Sequence, residues 1–444
     1  MADIQYLRDN SAYPLGSLQK SHPQSVDYLL NQTLDSLEEK GLFLFPPTIR
    51  ESENLDRDSY ILRSRGGDIW TSNHVGFLGV GSENLSIRSR FSDSQDTDFF
   101  FRYMIEKVLD MPDVLNQSTT AQDSTARLNL YMLLFPEYLQ SALRKGIYKE
   151  YRVFTHNDMN IRGSLDLARH IKENTPFRGK IAYSTREFSY DNPLMQLIRH
   201  TIEYMQSTYM GHLILGKHRD DIDTIISHTP SYVQRDRHAI ILENQKKPLR
   251  HAYYREYREL QRLCLYILTH QNHSLGSGNR TMHGILFDCA WLWEEYIATL
   301  ISEYFYHPEN KNRIGEHYLF DKSRGKIYPD FISKTKEPRS VADTKYKPQG
   351  NISGRDYQQL LAYMFRFNAS QGYYIYPEQD TTQKAKQLNL MQGTSYEGNL
   401  ESRNDVWVKK LPFYIPQGSS KYIEFSAAME QNAKTFLSSL GLTA

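Results

Sequence analysis

Residues 325–347, GKIYPDFISKTKEPRSVADTKYK, put two carboxylates and a lysine where they can meet. Ile327, Pro329 and Phe331 alternate with Tyr328, Asp330 and Ile332, as in a strand, and Val341 to Tyr346 reads as a second strand after a polar connection containing Pro338. The two form a predicted β-hairpin. Asp343 and Lys345 are two residues apart on a strand, so both leave the same face. Asp330, thirteen residues before Asp343, shares that face near the open end of the hairpin. Two carboxylates and a lysine converging there can hold a divalent cation and stabilise a negatively charged pentavalent phosphate. Hard oxygen ligands suit Mg²⁺, which keeps several waters and can supply the attacking one.

A carboxylate-x-lysine triplet alone is equally well a solvated surface hairpin, and the chain has three: Glu38-Glu39-Lys40, Glu309-Asn310-Lys311 and Asp343-Thr344-Lys345. Only the last is predicted in a strand with an upstream strand carboxylate. Flanking elements add to it. Leu286, Cys289, Trp293, Ile297, Leu300 and Tyr304 fall in one arc at helical spacing, a predicted buried stripe with Glu294 at its rim and Glu295 towards solvent. Glu294 is therefore the third acid to consider, the alternative being a rim salt bridge. Downstream, Ser353-Gly354-Arg355-Asp356 has the form of a capping box opening a helix to about Asn368. Gln359 and Tyr363 are one turn apart on it, with Leu360, Leu361 and Met364 available for a core, and Gly372 to Pro377 follows as a buried strand.

These elements sit in the last of three zones expected in the chain: 1–92, 93–280 and 281–444. The first reads as a small β-rich unit, with a helix from Ser25 to Lys40, then short extended pieces at 42–45, 60–62, 75–80 and 85–87 broken by Gly66-Gly67 and Gly81. The second is mostly helical: 99–109, 126–143, 193–205 and 253–268, with one extended stretch at 179–184. Asn157-Asp158 and Asp191-Asn192-Pro193 read there as helix starts. Arg255, Arg258 and Arg262 line one face of the last helix. Residues 231–262 hold eight Lys/Arg against four Asp/Glu, which is either a phosphate-facing surface or a solvated helix face. The third zone alternates helix and strand. The expected class is α/β in the broad α+β multidomain sense.

Length and composition set the limits. At 444 residues more than one core is expected. With 53 basic and 52 acidic residues the formal charge is +1, which argues against a uniformly basic DNA-packaging protein and against an acidic disordered chain. Any nucleic-acid site must be local. Two cysteines, Cys264 and Cys289, give no disulfide framework and suit a reducing cytoplasm. With His270 and His273 they lack zinc-site spacing, and both fall on apolar helical faces, which favours buried thiols. The start, MADIQYLRDN, lacks an apolar signal region, and no run of 18 apolar residues suggests a membrane span. Arg162-Gly163-Ser164 reads as a turn, with or without a phosphate contact.

Pro329-Asp330, Asp343-Thr344-Lys345 and the Gln359/Tyr363 pair together resemble the PD-(D/E)XK nuclease superfamily, the last pair matching the Gln-x-x-x-Tyr extension of its RecB-like branch. More narrowly, LWEEYI (292–297), YPDF (328–331), DTKYK (343–347) and DYQQLLAY (356–363) resemble the McrC family, the nuclease subunits of McrBC-type restriction systems. Stretches 75–91, 162–180 and 186–198 extend the likeness to all three zones, although Arg88-Ser89-Arg90 stands where the family carries a Pro-Lys pair. The resemblance implies a PD-(D/E)XK restriction-endonuclease-like core at 281–444, a β-rich N-terminal domain that docks an AAA+ GTPase of McrB type, and a helical bridge between them. It implies one or two Mg²⁺ arranged by Glu294, Asp330, Asp343 and the carbonyl of Thr344, with Lys345 activating water. Gln359 and Tyr363 would position double-stranded DNA. On charge pattern alone, and against the alternative of a solvated helix face, Arg255, Arg258 and Arg262 are further candidates to contact it. The chain has no G-x-x-x-x-G-K-[ST] phosphate loop, so it is not the motor. A self-sufficient repair nuclease and a non-catalytic activator of the motor are the competing readings.

Overall fold

A computed structural model describes residues 4–46, 60–92, 98–111, 124–269, 282–308 and 316–442. The chain divides into two compact units: one built from residues 1–126 and 278–444, the other from 127–277. This differs from three consecutive zones, because the N-terminal and C-terminal thirds share one unit.

The reason is a single strand. In the first unit β1 (Ile4–Arg8), β2 (Leu42–Phe45), β3 (His74–Val80), β4 (Glu83–Arg88) and β5 (Met282–Asp288) form one sheet in the order β1-β4-β3-β5-β2. β5 lies between β3, to which it is antiparallel, and β2, to which it is parallel. Periodicity had assigned Leu286 to a helical stripe, but the run Ile285-Leu286-Phe287 is buried on both faces, where strand and helix read alike. Glycine permits the pairing. Gly76 has φ +150°, and a Cβ there would lie 2.1 Å from the Ile285 carbonyl oxygen.

The helix expected from Ser25 to Lys40 is two helices, Pro23–Leu29 and Leu34–Glu39. Leu30 is extended and Asn31 left-handed (φ 57°), and the Thr33 side chain accepts from the Ser36 N–H to start the second helix. A small sheet of Ala12–Pro14, Asp68–Thr71 and Leu62–Arg65 turns at Gly66-Gly67 as expected.

Asp288 ends β5 and caps the next element, its Oδ1 accepting from the N–H groups of Ala290 and Trp291. With α1 (Phe99–Val108) already formed, that element is α2 (Cys289–Ile301). Then come β6 (Phe305–Tyr306), β7 (Phe331–Ser333), β8 (Ser340–Thr344), α3 (Arg355–Phe367), β9 (Gln371–Glu378), β10 (Lys386–Gln392), β11 (Glu401–Tyr414) and α4 (Tyr422–Ser439). Their sheet runs β6-β7-β8-β9-β11-β10, with β8, β9 and β11 parallel at its centre. Val341, Tyr374, Tyr376 and Val408 pack with Leu360, Tyr363 and Met364 of α3. Phe413 meets Trp293 and Tyr296 of α2 and Phe436 of α4, so helices cover both faces. The expected hairpin is present but shorter: Phe331 pairs Ala342 and Ile332 pairs Val341, while Ile327 belongs to a separate ribbon of His317–Phe320 and Arg324–Ile327.

The second unit holds the helices expected at 126–143, 193–205 and 253–268, observed as Ser124–Leu143, Pro193–Gln206 and Arg255–Thr269. Asn192 caps the middle one, accepting from the Met195 N–H at 3.1 Å. The extended stretch is the strand Ile181–Ser189, paired with Glu150–Asp158 and Ser164–Leu165. Asn157-Asp158 thus ends a strand and does not start a helix. No helix among the described residues is long and apolar enough to cross a membrane.

Candidate active site

β8 delivers Asp343 to the face covered by α3, where it is 1% exposed. Asp330 stands in the bend just before β7, not in the strand itself, and Thr344 ties it to β8. The Thr344 N–H and hydroxyl donate to Asp330 Oδ2 at 2.7 and 2.8 Å. Lys345 follows the last residue of β8, and its Nζ lies 2.5 Å from Asp343 Oδ2. From there a chain of polar contacts crosses to α3. Lys345 Nζ donates to Gln359 Oε1 at 3.4 Å, Gln359 Nε2 to the Tyr363 hydroxyl at 2.7 Å, and that hydroxyl to the Tyr328 carbonyl at 3.1 Å. The one-turn spacing of Gln359 and Tyr363 is what lets them relay in this way.

Burial and mutual repulsion dominate the electrostatics. Burial, then the charge of Glu294, pushes Asp330 up to about 6, against the pull of Lys345 and the two Thr344 bonds. Asp343 is pushed up to about 7, chiefly by burial, with Lys345 opposing and Asp330 adding. Burial pulls the Lys345 ammonium down, but Asp343 and Asp330 outweigh it and hold Lys345 above its ordinary range.

Glu294 and Glu295 project from α2, with side chains 18% and 31% exposed. Glu295 does not simply face solvent as expected, because His307 reaches it. The His307 ring donates through Nδ1 to the Asp330 carbonyl at 2.8 Å, and its Nε2 is 3.5 Å from Glu295 Oε1 and 4.0 Å from Glu294 Oε1. It stacks on Phe331 with centroids 4.8 Å apart. Burial pulls its pKa down, yet the Glu295 bond, the Glu294 charge and the Asp330 carbonyl raise it to about 9, so the ring is a cation. The sequence patterns do not single out His307. Its only signal was position, a histidine one residue past the strand that brings the chain back from α2.

Among the described residues no three His, Cys, Asp or Glu side chains converge at metal-ligand spacing. A hard cation with several waters needs only one or two carboxylates, and two observations fit one here. Asp343 Oδ2 is buried, and the Lys345 ammonium beside it is poorly aligned to donate to it. The raised acids are carboxylates whose crowding a cation relieves. Lys345 supplies that counter-charge in this arrangement.

Other expected residues differ in their surroundings. Tyr363, expected to hold a DNA strand, is 3% exposed, and its hydroxyl is engaged within the core. Arg255, Arg258 and Arg262 share a helix of the second unit, and Arg255 pairs with Glu259 at 3.2 Å. Cys264 and Cys289 are free and fully buried, and burial pushes the Cys264 thiol up to about 12. His270, His273 and Glu309-Asn310-Lys311 lie outside the described residues.

No curated protein matches the chain. Two solved structures are similar at 15% identity. One is a refined half-complex from the tetradecameric assembly of Thermococcus gammatolerans McrB AAA+ hexamers with bound McrC, with TM-score 0.47 over 99% of this chain and 100% of that chain. The other is the cryo-EM structure of the T. gammatolerans McrBC complex, with TM-score 0.28 over 68% and 87%. Residues 69–377 match the family described as McrBC 5-methylcytosine restriction system component, a span that holds the YPDF, DTKYK and DYQQLLAY stretches. The chain belongs to that family.

Proposed function

We propose that this chain is the Mg²⁺-dependent DNA endonuclease subunit of a modification-dependent, GTP-driven restriction system, acting in the cytoplasm with an AAA+ GTPase of McrB type. One observation carries the reading. Asp343, Lys345, Gln359 and Tyr363 form a single polar chain at the end of a central parallel strand, with Asp330 tied to it through Thr344. Buried acids beside a held lysine are costly in a surface hairpin and useful at a phosphate. Glu294, Asp330, Asp343 and the Thr344 carbonyl would hold one or two Mg²⁺, which acidify bound water and offset phosphate charge.

The chain's own side chains have distinct roles in this proposal. Lys345 places a cation where charge develops on the scissile phosphate. Gln359 offers the ammonium a second, longer-range acceptor beside Asp343. Tyr363 fixes Gln359 from inside the core, so it supports the site and does not grip DNA directly. His307 sets the Asp330 bend against α2 and so fixes the distance between Glu294 and Asp330.

The test uses the full chain, an McrB-type GTPase, GTP, Mg²⁺ and methylated double-stranded DNA. Cutting by wild type, and none by Asp343→Ala or Lys345→Ala, is the expected result. Undiminished cutting by both variants refutes the catalytic assignment. Cutting with Mg²⁺ and no GTPase refutes the dependence on a motor.

A further inference from the structure

The chain leaves β8 through a tight turn. Lys345 N–H is held by the Ile375 carbonyl at 2.9 Å, and Lys347 N–H donates back to the Lys345 carbonyl at 2.8 Å. Tyr346 is the apex of this three-residue turn, a form whose short hydrogen bond does little to fix it. Residues just beyond β4 grip that apex from 256 positions away. Arg90 Nη2 donates to the Tyr346 carbonyl at 2.5 Å, and its guanidinium lies 4.6 Å over the Tyr346 ring. The Ser89 hydroxyl meets the Tyr346 hydroxyl at 2.7 Å, and the Phe91 ring stands edge-on at 5.1 Å.

The gripping residues are themselves fixed. Arg90 N–H donates to Asp9 Oδ1 at 2.5 Å and Arg90 Nη2 also to Asn73 Oδ1 at 3.0 Å. Ser89 N–H donates to Asp98 Oδ2 at 2.6 Å, and Asp98 Oδ1 caps α1 through the Phe101 N–H at 3.0 Å. Gln379 Nε2, just past β9, donates to the Phe91 carbonyl at 2.9 Å.

We propose that Ser89, Arg90 and Phe91 form a clasp that positions Lys345 by immobilising Tyr346, with Arg90 as the positioning residue. The inference rests on reading Lys345 as a catalytic group, but its geometry stands without DNA or metal. Arginine suits the task. One planar fork reaches a carbonyl and an amide oxygen while stacking on a ring, which an ammonium cannot do. A residue in the N-terminal sheet region thereby sets the conformation next to Lys345, so whatever shifts residues 88–92 shifts the catalytic lysine.

The experiment reads Lys345 directly, by amine-reactive labelling of the full-length chain and peptide mass spectrometry, with exposed Lys421 as reference. Arg90→Ala removes a charge-assisted bond to a buried carbonyl, so Lys345 labelling should rise by about tenfold. Millimolar guanidinium chloride, but not sodium chloride, should restore the slow rate by refilling the gap, and Arg90→Lys should restore little of it. Folded Arg90→Ala protein that labels Lys345 at the wild-type rate overturns the proposal. So does a rise that guanidinium does not reverse, since that marks general loosening. If Arg90→Ala does not fold, Tyr346→Phe carries the test, because it removes the Ser89 bond and the hydroxyl's contact with the buried Cys289 thiol while leaving the ring and carbonyl in place. It should raise labelling by about threefold, and unchanged labelling overturns the clasp. Failure of the wild-type chain to cut DNA with its partner would refute the nuclease reading and leave the labelling result intact.

Discussion

Asp343→Asn tests the electrostatics of the site without substrate. Asp343 is 1% exposed and titrates at about 7 in the fold against 3.8 for the free side chain. Its charged form is therefore disfavoured in the fold by about 4 kcal/mol. The attraction of Lys345 is already contained in that value. The folded pKa lies above the unfolded one, so the stability of the neutral form is fully present below pH 3.8 and is lost as pH rises through about 7. Asparagine has the shape of the neutral acid and leaves Lys345 in the same unpaired condition as protonation does. The variant should then be more stable than wild type by about 4 kcal/mol at pH 8 and by only about 2 kcal/mol at pH 5. Trp70, Trp291, Trp293 and Trp407 are the chain's four tryptophans, and all lie in the first unit, so urea unfolding followed by their fluorescence reads that unit. A difference between variant and wild type that stays flat from pH 5 to 8 refutes the reasoning.

Three further outcomes are expected. His307→Gln should weaken Mn²⁺ binding, measured by calorimetry, by about tenfold or more, as loss of a residue orienting the ligands does; unchanged affinity would reduce His307 to packing. Asp288→Ala removes the acceptor for two N–H groups at the start of α2 and should cost about 1 kcal/mol in the tryptophan-detected transition. Gly76→Ala places a methyl group 2.1 Å from the Ile285 carbonyl, so the chain should lose soluble yield and the tryptophan fluorescence transition of the first unit; a normal melting curve would show that β3 and β5 can move apart.

The sequence made the local part of the site legible and little of what supports it. Asp343 and Lys345 share a face because strand geometry requires it, and Gln359 lies one turn from Tyr363 because helix geometry requires that. Both follow from spacing within one element. The Asp330 position was off by one structural class, bend for strand, because Tyr328-Pro329 interrupts the pairing and a proline has no N–H to give a ladder. β5 was missed for a different reason. A short apolar run buried on both sides carries no period, and only its partners β3 and β2, more than 200 residues away, make it a strand. His307 and the clasp share that limit. Nothing in the spacing of Ser89 and Arg90 points to Tyr346, since the contact depends on β5 bringing the N-terminal sheet up against α2.

The chain's own groups offset part of the charge of the resting site, which bears on the proposed nuclease role of a nearly charge-balanced protein. Asp343 faces Lys345, Asp330 receives two donors from Thr344, and Glu294 and Glu295 face a protonated His307. Each acid has a counterpart, so the folded chain tolerates the cluster with no cation bound. The same pairing withholds Lys345 from a phosphate, because an ammonium in contact with Asp343 is not free to face a substrate oxygen. On the nuclease reading, activation requires a cation to take over Asp343 and the lysine to turn towards DNA. Gln359 marks one limit of that turn and the Arg90 clasp holds its pivot. The chemistry is then governed less by how many charges the site contains than by which partner Asp343 holds.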